Sequence, residues 1–297
     1  MNPLNTATFD AITSLPKANR AAVGCLPDYL GNSFVYTVIS PRDRGLSVGV
    51  NMNPDKFCNF NCAYCEVNRN RPPRATKLDV NIMVEELERT LMLAQAGRLR
   101  EHPRYQNLPD ELLKLRHVAL SGDGEPTLVP DFFSIIEALI HLRAHGPVSF
   151  FNLVLITNAS GLDRPEVKQG LRLFAFADEV WAKLEAGTQG YMNRVNQPNC
   201  QLETILDNIL NLARERPVII QSLFPSISGQ SPLASEIETY AQHLKVLKAA
   251  GANIPLVQIY SATRPTLRSE CGHLPLRTLC AIAQRVREVS GLKAEVF

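Results

Sequence analysis

Short apolar runs recur along this chain, and between them the apolar residues fall at helical spacing. Residues 46–52, 117–122, 152–158, 179–186, 217–224 and 255–262 read as strands. Each is near-continuously apolar rather than alternating, the pattern of a parallel strand covered on both faces. Residues 79–97, 130–145, 165–175, 202–214, 234–250 and 276–289 read as helices. Asp79 stands where the first needs an N-cap, Gly97 where it should stop, and Gly251 closes the fifth. One helix after each strand predicts a parallel sheet with right-handed crossovers. The result is a doubly wound sheet or a barrel, and six units would make a partial barrel rather than the closed eight-unit form. Residues 1–45 are mixed and turn-rich and read as an N-terminal extension to the domain over 46–297.

In either arrangement ligands gather beyond the C-terminal ends of the strands. Four groups of polar or metal-binding residues fall there. CNFNCAYC (58–65) follows the first strand, SGDGEPTL (121–128) the second, Thr157 and Asn158 end the third, and Lys183 to Glu185 lie near the end of the fourth.

Composition adds boundaries. The 297 residues, 45% of them apolar, suffice for a full core. A formal net charge of +2 does not by itself suggest a nucleic-acid-binding surface. No apolar run reaches the ~18 residues of a membrane span. The first twenty residues lack a long apolar core and a small-residue cleavage pattern, so no signal peptide is read and the expected compartment is the cytoplasm. Seven cysteines, an odd number, argue against a secreted disulfide framework.

Three of those seven lie within eight residues: Cys58, Cys62 and Cys65, spaced C-x3-C-x2-C. Three close thiolates suit a soft metal centre. Structural zinc wants four closed ligands, and no histidine lies nearby; the nearest in sequence is His102. Three cysteines also fall one short of a full ferredoxin set, so one iron of a cubane would lack a protein ligand and could take a small molecule. In SGDGEPTL, two glycines at a strand end allow close backbone approach to a ligand, and Glu125 offers a carboxylate to an ammonium group. Thr157 and Asn158 read equally well as strand-end caps. Lys183, in an otherwise apolar strand, needs a partner if it points inward.

C-x3-C-x2-C with an aromatic residue, Tyr64, before the last cysteine resembles the motif of the radical S-adenosylmethionine (SAM) superfamily. The resemblance implies a partial (β/α)6 barrel. It implies a [4Fe–4S] cluster on Cys58, Cys62 and Cys65, and SAM chelating the open iron. One electron then cleaves SAM to methionine and a 5′-deoxyadenosyl radical, which abstracts hydrogen from the substrate. It places Tyr64 against the adenine. SGDGEPTL resembles the superfamily's Gly-Gly-Glu motif, which implies contact of Gly124 and Glu125 with the SAM amino group; Asp123 stands where many members have glycine. By position, Thr157, Asn158 and Lys183 resemble residues that contact the SAM ribose and carboxylate.

Residues 40–69, GDGEPTL, KLEAGT, NRVNQP (193–198) and IYSATRPTLRSECGHLP (259–275) resemble one branch of the superfamily. That branch contains the enzymes forming the tricyclic wyosine base of tRNA together with Fe–S oxidoreductases of unassigned role. Archaeal wyosine-forming enzymes carry a second cluster on widely spaced N-terminal cysteines, whereas here only Cys25 precedes the main motif. Wyosine synthesis is therefore not assigned. Cys25, Cys200, Cys271 and Cys280 read as small buried apolar residues, with a second cluster as the alternative. Arg264 is a candidate for gripping a substrate carboxylate or phosphate. The resemblance implies reduced flavodoxin or ferredoxin as electron donor; small-molecule, peptide and tRNA substrates all remain open. A non-catalytic Fe–S carrier is the competing class, but it would have no use for SGDGEPTL or Lys183.

Overall fold

The computed structural model describes residues 29–40, 43–264 and 266–297. Cys25 lies outside them. The chain enters the sheet on β1 (Val35–Ser40), turns, and returns antiparallel on β2 (Gly45–Asn51). All seven positions of β2 are buried, as its continuous apolar pattern requires of a strand covered on both faces. The cysteine loop follows, and then α1 (Val80–Gln95). Asp79 caps α1 by accepting from the N–H groups of Asn81 and Ile82, and Gly97 takes φ 70° beyond its end. A single helical turn, α2 (Asp110–Leu113), leads into β3 (Leu115–Ser121).

Five more helix–strand units complete the layout: α3 (Phe132–His145), β4 (Leu153–Thr157), α4 (Pro165–Arg172) and β5 (Glu179–Lys183); then α5 (Gln189–Val195), α6 (Leu202–Glu215) and β6 (Val218–Leu223). After the short β7 (Ser226–Ile227) come α7 (Ala234–Ala249), β8 (Val257–Tyr260), β9 (Cys271–Gly272), α8 (Leu276–Ser290) and β10 (Ala294–Val296). The main sheet has the order β1-β2-β3-β4-β5-β6-β8-β10. Every neighbouring pair in it is parallel except β1 and β2. No ladder joins β1 to β10, so the sheet is an open partial barrel. All six expected strands are present in sequence order, each followed by its expected helix.

Two edge strands of the main sheet, the two-residue strands β7 and β9, and the short helices α2 and α5 were not expected. β1 falls inside the segment read as a turn-rich extension. It is built by tertiary contacts: the buried carboxylate of Glu86 on α1 accepts from the backbone N–H groups of Ser33, Phe34 and Val35 at 2.6, 2.8 and 3.1 Å. β10 is only three residues long and gains its partners from β8. The seven-residue α5 is too short to show a helical period; the hydroxyl of Thr188 caps it by accepting from Tyr191 N–H.

The helical side of the sheet contains one buried ion pair. Arg143 on α3 meets Asp178 at 2.7 Å, and Asp178 also accepts from the N–H groups of Leu153 and Ala175. This carboxylate therefore fixes the turn before β5 against the start of β4. Removing one member of a buried, hydrogen-bonded pair leaves a stranded charge. Asp178→Ala should lower stability by about 3–5 kcal/mol in urea denaturation, and replacing Arg143 and Asp178 together with leucine should recover part of that loss.

Candidate functional site

The cysteine loop has almost no regular structure, and the chain around it dictates its path. Its docking begins at Gly124. A Cβ there would lie 1.9 Å from the Phe57 carbonyl oxygen and 2.6 Å from Asn53 Cβ, so only glycine lets the two loops meet. The Phe57 carbonyl accepts from Glu125 N–H at 3.0 Å. Asn51, ending β2, accepts from Asp123 N–H and donates to the Asp123 carboxylate. Asp123 thus braces the loop after β3 against the end of β2.

A row of side-chain amides then holds the loop on its far side. Asn59 donates to Ser160 and Asn199 and accepts from Asn158. Asn61 donates to Gln197, and its backbone carbonyl accepts from Arg268. Backbone bonds run in parallel: Asn61 N–H to the Asn196 carbonyl at 3.0 Å and Ala63 N–H to the Val195 carbonyl at 2.7 Å. Ala159 and Gln197, in the two segments that grip the loop, take left-handed φ values of 66° and 45°. Such values are uncommon outside glycine and mark backbone held by its surroundings.

The result is a single cleft at the C-terminal rim of the sheet. It is lined by Cys58, Cys62 and Cys65, by residues 121–125, by Thr157 and Asn158, and by residues 183–186, with Phe60, Met192 and Asn196 completing the walls. All four groups expected to converge do so. Its cavity volume is about 180 Å³.

Inside the cleft the expected residues play distinguishable parts. Glu125 is buried, and its own chain engages both carboxylate oxygens. Oε1 accepts from Thr157 Oγ1 at 2.5 Å and from the Thr127 hydroxyl and N–H; Oε2 accepts from Asn158 N–H at 2.7 Å. Burial pushes its carboxyl above the ordinary range, against the pull of these bonds. Thr157 and Asn158 face this carboxylate, and Asn158 reaches on to Asn59. The three residues together knit the ends of β3 and β4 to the cysteine loop.

Lys183 ends β5 with its ammonium 3.3 Å from the Tyr64 hydroxyl, 3.5 Å from Glu185 and 4.8 Å from the Tyr64 ring centre. The Tyr64 hydroxyl donates to Glu185, and Asn196 Nδ2 donates to the same carboxylate at 2.5 Å. The inward lysine therefore has its partners, a carboxylate and an aromatic face. Burial holds the Tyr64 phenol well above its usual range. Arg264 pairs with Glu66 at 3.3 Å, tying the segment after β8 to the residue following Cys65.

Residue-by-residue reading did not single out Asn196, Asn59, Asn61, Arg69 or Arg268. All five lie in segments that carried the branch resemblance, and the asparagine and glutamine density of CNFNC and NRVNQPN reads equally well as turn chemistry.

The three cysteines are free thiols, and each sulfur accepts one N–H: Cys58 from Phe60 N–H at 3.4 Å, Cys62 from Asn196 Nδ2 at 3.6 Å, and Cys65 from Arg69 Nη1 at 3.5 Å. Burial pushes the Cys62 thiol up to about 12 and also raises Cys58. Among the described residues, no three histidine, cysteine, aspartate or glutamate side chains converge on a point that one ion could occupy. Three free thiols line one cleft, and cysteine thiolates are the ligand type of iron–sulfur clusters. Cys200, Cys271 and Cys280 form no such set either; the first two are half-buried and Cys280 is exposed, so they are not the buried apolar residues expected.

No family model matches the chain. It is 25% identical over 240 residues to a UPF0026 protein of Helicobacter pylori, an alignment covering 80% of this chain and 70% of that one. It is 28% identical over 186 residues to a UPF0026 protein of Synechocystis, covering 61% and 60%. Among solved structures, a radical SAM methyltransferase from Sphaerobacter thermophilus superposes with a TM-score of 0.64 at 17% identity, over 97% of this chain and 83% of that one. TYW1 with a lysine–pyruvate adduct bound gives 0.55 at 15% identity, over 88% and 85%. The chain has the radical SAM fold. SuiB of Streptococcus suis bound to S-adenosylmethionine shares it at a TM-score of 0.57 and 14% identity, over 86% of this chain and 52% of that one. The partial barrel expected from the motifs is thus the observed architecture, and its cleft lies at the rim where the cysteine loop docks. No described helix is long and apolar enough to cross a membrane.

The contact at Gly124 makes a sharp prediction. Gly124→Ala should leave far-UV circular dichroism unchanged, because the sheet does not depend on that contact. Iron and sulfide uptake during anaerobic reconstitution should fall well below the wild-type level, because the loop can no longer seat against residues 123–125.

Proposed function

We propose that this protein is a radical SAM enzyme, with Cys58, Cys62 and Cys65 as ligands of a [4Fe–4S] cluster and the adjoining cleft as the SAM site. One observation carries the reading: on a radical SAM fold, three free cysteines and the polar ends of β3, β4 and β5 line the same cleft. A cluster carrier without catalysis would need the thiols but not the cleft.

The chemistry supplied by the bound cluster and cosubstrate is one-electron cleavage of SAM to methionine and a 5′-deoxyadenosyl radical, followed by hydrogen abstraction from a substrate. The chain's own work is positioning and exclusion of water. Cys58, Cys62 and Cys65 would hold the cluster and would leave one iron free for a chelating amino acid group. Since both oxygens of Glu125 are held internally, its part is to fix the strand ends and keep the 122–124 backbone exposed to the cleft. Lys183, Glu185 and Tyr64 form a charged and aromatic cluster suited to the ribose hydroxyls and carboxylate of a nucleoside amino acid. Phe60, Leu184, Ala186 and Met192 supply apolar wall around it, where a reactive carbon radical is shielded from solvent. A reduced flavodoxin or ferredoxin completes the proposal as electron donor.

The test is anaerobic. Protein reconstituted with iron and sulfide, reduced with dithionite and given SAM should release 5′-deoxyadenosine. Cys62→Ala should lose both the cluster and all cleavage. Cleavage retained in that variant, or zinc in place of iron and sulfide in the purified wild type, overturns the assignment.

A further inference from the structure

The N–H groups aimed at the three sulfurs, beside the Tyr64 hydroxyl that also bonds Cys62, have a consequence for redox behaviour. The donor to Cys58 is backbone, but those to Cys62 and Cys65 are the side chains of Asn196 and Arg69. We propose that Asn196 and Arg69 are positioning residues that raise the reduction potential of the cluster, an inference that rests on the functional reading above. Reduction increases electron density on the ligand sulfurs. An N–H aimed at a sulfur is therefore worth more in the reduced state than in the oxidised one, and its removal makes the cluster harder to reduce.

The two residues are built differently. Asn196 is 4% exposed and follows α5. Its amide is oriented by contacts independent of any metal: Nδ2 donates to Glu185 Oε2 at 2.5 Å and lies 3.4 Å from the Tyr64 hydroxyl. Its backbone carbonyl accepts from Asn61, so backbone and side chain brace the same loop. An amide fixed in a buried site keeps its dipole on the sulfur with little screening. Arg69 is exposed, four residues after the cysteine it serves, and contributes a full positive charge in a solvated setting. Its effect therefore falls with ionic strength, while that of Asn196 does not. A residue that only stabilised the loop would change cluster content, not midpoint potential or its salt dependence.

The experiment is a redox titration of the reconstituted wild type, Asn196→Ala and Arg69→Gln, followed by electron paramagnetic resonance, with iron and sulfide measured in each. Asn196→Ala should shift the equilibrium away from the reduced cluster about tenfold, a midpoint about 59 mV lower for a one-electron couple, at low and high salt alike. Arg69→Gln should shift the same equilibrium severalfold less, and the difference from wild type should shrink in 1 M salt, where the screening length is about 3 Å. Midpoints unmoved in fully loaded variants sink this inference alone. A wild type that binds no iron and sulfide sinks the functional reading and the inference with it. Should Asn196→Ala fail to load, Arg69→Gln decides: an unchanged, salt-independent midpoint refutes the proposal.

Discussion

Everything at the rim depends on how the cysteine loop is seated. The loop has few backbone partners within itself, so its shape must come from what it touches. The decisive contact is the approach of residues 123–125 to the Phe57 carbonyl, which the missing side chain at Gly124 permits and the Glu125 N–H bond locks. A methyl group at that point would force the two loops apart, and every later contact is set by their register. The amides of Asn59 and Asn61 can reach the ends of β4 and α5 only because the loop is already pinned there.

The carboxylates of the rim divide the work. Glu125 is saturated by four donors of its own chain, including Thr157 and Asn158, which makes it a rigid joint between strands. Glu236 does the same on the other side, accepting from the N–H groups of Gly187 and Thr188 and from the Thr188 hydroxyl, and so fixes the exit of β5 against α7. Glu185 differs in facing the cleft with donors of three kinds: a phenol, an amide and an ammonium. A carboxylate saturated by its own backbone organises structure. One shared among side chains at the wall of a cleft can exchange a partner for a ligand.

Much of this was legible in the sequence, for identifiable reasons. The six buried strands show as continuous apolar runs because both faces are covered, and periodicity reports burial directly. Asp79 and Gly97 mark the ends of α1 because capping is local. The cysteine spacing is local as well. β1 was not legible, because it exists through Glu86, more than fifty residues away, and through its pairing with β2. The internal role of Glu125 was hidden for the same reason: its donors lie on the next strand. Asn196 and Arg69 were invisible because an amide or a guanidinium near a sulfur leaves no pattern in one dimension. The amide-rich segments CNFNC and NRVNQPN look like ordinary turns until the fold lays one against the other.

That pairing fastens the loop with amides in addition to the buried side chains of Phe60 and Ala63. A loop that presents three thiols to a cleft has the open cleft, not packed core, on that side. Side-chain amides serve two ends at once. Each can donate and accept, so Asn59 binds Asn158 through its oxygen and Ser160 and Asn199 through its nitrogen. Such bonds satisfy the backbone and side chains of an irregular segment without filling the cavity. They also leave N–H groups within reach of the sulfurs, as Asn196 shows. The network that shapes the loop is therefore the same one that sets the electrostatic surroundings of its thiols, and the two properties change together when any amide in it is replaced.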